Sequence, residues 1–142
     1  MSCPSPTTCY AFGDYSVGPK DEAGVQWGLV ETLIGSAWTP AGVGVPVNGA
    51  AWYEAPIAEC RSAGSCVAVA SYQTPDFDVL PLAESVFGTG VDLNPSVSTG
   101  PLRGSTSVSY SGIACSTAPS CLAVGQYTPK GSDCLLYTSR CV

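Results

Sequence analysis

A chain of 142 residues with 45% apolar side chains has room for one modest domain and the means to bury a core, which excludes a disordered segment. Its 11 acidic against 5 basic residues, a net charge of −6, offer little to displace the counterions of a nucleic acid, and no nucleic-acid partner is expected. Only 11% of residues are charged while Gly and Pro number 16 and 12, so the polar surface must come from Ser, Thr and backbone, as in extracellular β-rich proteins with many turns.

No apolar run approaches the roughly 18 residues of a membrane span, so none is expected. No charged start followed by an apolar core marks a signal peptide. Extracellular localisation is expected all the same, with the leader lost by truncation.

In chain order, the first predicted strands surround "CPSPTTCYAFGDY" from Cys3. A loop, "SVGPKDEAGVQW", leads into "GLVETLIGSAWTP", an apolar run with a central Glu, a Gly-centred turn and a second short run. Then "YEAPIAEC" arrives at Cys60, and "CRSAGSCVAVASY" repeats the opening pattern: Cys, five turn-forming residues, Cys, apolar, Ala, apolar, small, polar, Tyr. The loop "QTPDFDVLP" and the pair "PLAESVFGTGVDL" and "VDLNPSV" complete that unit. A third copy follows "YSGIAC" as "CSTAPSCLAVGQY" from Cys115. The copies lie 57 and 55 residues apart, with units starting near residues 1, 58 and 113.

One unit reads as four short strands: the segment ending in the first cysteine, "CVAVASY", "PLAESVF" and "VDLNPSV". Along "CVAVASY", Cys66, Ala68, Ala70 and Tyr72 point one way and Val67, Val69 and Ser71 the other. In the third copy Cys121, Ala123, Gly125 and Tyr127 oppose Leu122, Val124 and Gln126. Both faces begin apolar, so each sheet is expected to be covered on both sides: by close backbone approach over small residues on one, by branched side chains on the other. The expected fold is all-β, an incomplete β-propeller of about two and a half four-stranded antiparallel blades spanning residues 1–133. A β-sandwich is the rival.

Six cysteines stand as Cys3/Cys9, Cys60/Cys66 and Cys115/Cys121 at identical C-x5-C spacing. The repetition selects pairing within each unit, a disulfide staple across each five-residue turn, and with it an oxidising compartment. Metal binding would want C-x2-C pairs or histidine, and the chain has no His. No metal, cofactor or catalytic residue is expected: a thiol that recurs in every copy without an imidazole base is structural.

The pattern SC-P-S-x-x-x-C-x-A-V-G-x-Y, followed by LVET-x-x-G-x-x-W-T, resembles the cysteine-paired propeller-type repeats of secreted actinobacterial proteins, similar in layout to kelch and sialidase-like repeats. The resemblance covers nearly all of residues 1–133 and implies an extracellular, ring-shaped scaffold. The second copy departs from it in lacking the Trp.

Both ends are expected to lie inside units. Met1 stands where this group has Val, which fits an internal GTG codon read as a start. The segment 134–142, "CLLYTSRCV", has no counterpart in the first two copies. Back-translated as TGT CTC TTA TAC ACA TCT AGA TGT GTA it matches the mosaic-end adaptor of transposase-based sequencing libraries, and it is read as an adaptor-derived tail. The missing blades of the parent chain are then expected partners.

Glu31 and Glu84 recur at one position and could suggest the paired carboxylates of glycoside hydrolysis, but recurrence marks a structural acceptor or a solvated strand residue. Sialidase-like chemistry would also need an arginine cluster and Asp-boxes, both lacking. Two loops that do not repeat place Asp21, Glu22, Asp76 and Asp78 at one rim. Lacking the Asp-x-Asp-x-Asp-Gly order of a calcium loop, they form with Trp27 and Phe77 the candidate ligand-binding loops, and Trp52 lies nearby; core or blade-contact roles are the favoured alternative for the three aromatics. The ligand class is a glycan or a protein. The expected function is a non-catalytic extracellular scaffold or binding module. Its rival is a piece of a carbohydrate-active propeller enzyme whose catalytic residues lie outside this chain.

Overall fold

The computed structural model describes residues 1–18, 25–43, 51–87, 90–92, 105–116, 120–130 and 135–141. They form three antiparallel sheets in chain order, each a simple meander. The first sheet holds β1 (Ser2–Ser5), β2 (Thr8–Val17), β3 (Val25–Ile34) and β4 (Ala37–Val43). The second holds β5 (Ala51–Ser62), β6 (Ser65–Gln73), β7 (Val79–Phe87) and β8 (Gly90–Asp92). The third holds β9 (Ser105–Cys115), β10 (Cys121–Pro129) and β11 (Leu135–Cys141). No described helix is long and apolar enough to cross a membrane.

The repeats lie in one register. Ala11 stands opposite Glu31 and Cys9 opposite Leu33 in the first sheet; Ala68 opposite Glu84 and Cys66 opposite Val86 in the second. A slip of one residue would turn every side chain to the other face, so these matched registers carry the sequence repeat into space. Residues 135–141 take the third-strand position, pairing with β10 from Cys121 opposite Cys141 to Tyr127 opposite Leu135. The segment after β8, which includes most of "VDLNPSV", lies outside the described residues.

All three expected staples are present. Cys3–Cys9, Cys60–Cys66 and Cys115–Cys121 are disulfides, each with Cα atoms 4.0 Å apart. Cys60 and Cys115 stand directly opposite their partners in the ladder, in the close approach of antiparallel pairs that exchange no backbone hydrogen bonds. The Cys60 and Cys115 N–H groups are thereby left for acceptors outside their own hairpins. The turn of the second staple places Gly64 at a φ of 79°, a left-handed conformation that a Cβ would strain.

The middle sheet is buried on both faces, as the double apolar pattern predicts. Its small-residue face, here called the front, packs Cys66, Ala70, Tyr72 and Leu82 against Tyr10 and Val30 of the first sheet, with Phe12, Cys60 and Leu80 at the margin. Its back face packs Val69, Ala83 and Ile57 against Ala123, Tyr110 and Ile113 on the front of the third. The relation is the same at both junctions: the front of one sheet lies on the back of the sheet before it.

Local irregularities serve this packing. In β5 the ladder shifts between Glu54 and Ile57, where Pro56 sits; in β9 it shifts opposite Val124 and Gly125. Pro tolerates a bulge on an edge strand because it has no ladder N–H to lose. At Gly125 an added Cβ would come within 2.1 Å of the Ser109 carbonyl oxygen, so only glycine allows this close approach.

Candidate functional site

The rim turn between β6 and β7 gathers three of the sequence-predicted ligand residues. The Thr74 N–H donates to the Asp78 carbonyl at 2.8 Å and the Phe77 N–H to the Thr74 carbonyl at 2.9 Å. The Asp78 N–H donates to Thr74 Oγ1 at 3.2 Å. This closed turn holds Phe77 at a φ of 65°, unusual for a bulky aromatic residue, and leaves the residue 75% exposed. Such an aromatic on a fixed turn can stack on an apolar or sugar surface with little ordering cost. Asp78 Oδ1 lies 4.0 Å from Lys130 Nζ at the end of β10, tying the turn weakly to the third sheet. Asp76 is exposed in the same turn.

The other predicted residues do not join this turn. Asp21 and Glu22 lie outside the described residues. Trp27 sits in β3 rather than in a rim loop, because the β2–β3 ladder extends to Val17 opposite Val25 and sets Trp27 across from Tyr15. Trp27 and Tyr15 are both part-exposed on the front face of the first sheet. Trp52 pairs in register with Tyr72. Among the described residues no group of three or more His, Cys, Asp or Glu is placed to hold a metal ion.

Glu31 and Glu84 part company in their surroundings. Glu84, at 3% exposure, is buried on the front of the middle sheet under the first sheet, not solvated, and its Oε1 has no hydrogen-bond partner. Burial pushes its carboxyl up to about 7. Glu31 holds the same position on the first sheet, on whose front no sheet packs among the described residues, and it is half-buried. Two carboxylates on successive sheets with such different access do not form an acid–base pair.

A set of hydrogen bonds between the sheets has no signature in the sequence repeat. Ser2, just before Cys3, accepts at Oγ a 3.3 Å hydrogen bond from the Cys60 N–H. Glu59, just before Cys60, accepts at Oε2 a 2.6 Å bond from the Cys115 N–H. The residue preceding one staple thus latches the backbone of the next. The Tyr10 hydroxyl accepts from the Gly64 N–H, joining the first sheet to the second staple turn. Because Ser2 and Glu59 differ in type, the latch leaves no trace in the repeat; comparing the residue before each first cysteine was the available signal. The third copy has Ala114 there and offers no side-chain acceptor.

Comparison with protein-family models, curated proteins and solved structures yields no match to this chain.

Proposed function

We propose that the chain is a non-catalytic extracellular repeat module, a piece of a larger β-propeller whose successive blades are the three sheets, serving as scaffold and as a binding module for a glycan or a protein. The observation that carries this reading is the directional packing, front on back at both junctions, which is how blades of a propeller succeed one another. The three disulfides favour an oxidising, extracellular setting. The recurring cysteines are absorbed in staples, Glu84 lies in a junction, and Ser2 and Glu59 serve as latches between sheets. Binding is assigned to the Phe77 turn, an exposed aromatic flanked by acidic residues on a rigid support.

The oxidised chain, applied to an array of neutral and acidic oligosaccharides with release of reducing ends followed in parallel, tests this reading. Retention without release, lost in Phe77→Ala, is expected. Hydrolysis abolished by Glu31→Gln or Glu84→Gln would overturn it in favour of a carbohydrate-active enzyme.

A further inference from the structure

The junction between the first and second sheets closes on Tyr10, Val30, Ala70, Tyr72 and Leu82, and it also holds a carboxyl group. Glu84 shares the front of β7 with Leu82 and is 3% exposed. Along the ladder it stands opposite Ala68, and Ala68 opposite Ala58, so its row offers methyl groups and no polar partner for Oε1.

Few ionisable groups face it. On the back of the first sheet β2 presents Tyr10 and the exposed Asp14, and the residues of β1, β3 and β4 on that side include none. On the front of the second sheet β6 presents Tyr72, and β8 sets Asp92 opposite Ser85 rather than Glu84. The two described basic side chains belong to the other junction: Arg61 pairs with Glu59 at 3.5 Å and Lys130 with Asp78 at 4.0 Å. A charge on Glu84 would thus have neither water nor a cation beside it among the described side chains, and burial pushes its carboxyl up to about 7.

We propose that Glu84 makes the junction between the first and second sheets proton-operated: closed while its carboxyl is protonated, parted to admit water when it ionises. The junction between the second and third sheets does not follow. It too buries an unpartnered polar atom, Ser71 Oγ, but a hydroxyl takes no charge in this range. Glu54, opposite Ser71, is also raised by burial, yet it is only half-buried and keeps its access to water. An acidic medium therefore locks the first sheet onto the second, and a neutral one frees it.

Amide exchange of the oxidised chain at pH 5 and pH 8, each corrected for the intrinsic rate, tests the proposal. Two amides report on the first junction: the Cys60 N–H, held by Ser2 Oγ, and the Gly64 N–H, held by the Tyr10 hydroxyl. The Cys115 N–H, held by Glu59 Oε2, reports on the second. Opening at Cys60 and Gly64 is expected to rise roughly fifty- to a hundredfold from pH 5 to pH 8, as a carboxyl near 7 in the closed junction and near 4.5 in the parted one requires. Opening at Cys115 is expected to rise far less. Glu84→Gln keeps the shape and removes the charge, so Cys60 and Gly64 should then be as protected at pH 8 as at pH 5. Glu84→Met repeats the test should Glu84→Gln lose its strand spectrum. No rise in the unaltered chain, or a rise that survives in the neutral variant, overturns the proposal. An equal rise at all three amides also overturns it, since that marks unfolding of the whole chain rather than parting of one junction.

Discussion

The first and second sheets share strand order, staple and register, yet the same front-face pattern is surface in one and core in the other. Leu82 is buried beneath the first sheet, whereas Leu29, its counterpart two residues before the matching Glu, is only half-buried. Glu84 is buried in a junction, whereas Glu31 is half-buried on the front of the first sheet. A repeat unit therefore has no fixed inside: its neighbour decides which residues are core. The energetic weight of equivalent positions should differ accordingly.

The widest gap is expected between Leu82→Ala and Leu29→Ala in urea unfolding of the oxidised chain. Leu82→Ala should cost about 2–5 kcal/mol, the range for emptying a packed core site. Leu29→Ala should cost about 1 kcal/mol, since much of that side chain is already wet. Equal losses would break the contrast between the two sheets.

Next comes the pH dependence of Glu84. Its folded pKa of about 7 lies above the ordinary 4.5, so the folded state binds more protons than the unfolded chain between these values. Stability should fall as pH rises through that window and level off above about 7, a total loss of about 3 kcal/mol. Below 4.5 both states are protonated and the group has no effect on the balance. Glu84→Gln should flatten that segment of the profile; an unchanged slope would remove Glu84 as its source.

The smallest expected difference separates the two latches. Glu59→Ala removes a charged acceptor and should cost about 1.5 kcal/mol, while Ser2→Ala removes a neutral one and should cost about 0.5–1 kcal/mol. Amide exchange read at Cys115 and at Cys60 checks each separately. Faster exchange confined to the matching cysteine supports one latch per junction.

Much of this architecture was legible in the chain. Three C-x5-C pairs at even spacing named their own partners, because only pairing within each unit repeats. Alternation along "CVAVASY" foretold a sheet covered on both faces, since small residues stood on one side and branched residues on the other. The site was less legible. Trp27 reads as part of a loop because Gly and charged residues precede it, and only the ladder to β2 moves it onto a face. Phe77 carried no signal of its left-handed backbone, which depends on hydrogen bonds between Thr74, Phe77 and Asp78. The burial of Glu84 was invisible beside its twin Glu31, because nothing in "LVET" or "LAES" tells which sheet has a neighbour.

Local sequence, then, determined the all-β character, the alternation of faces along the repeated strand and the staples, since alternation and turn chemistry act between residues close along the chain. Tertiary structure decided the order of front on back, the latches from Ser2 and Glu59, and the division of identical positions into core and surface. Those depend on contacts between residues more than fifty positions apart, and burial belongs to a pair of surfaces rather than to either one alone.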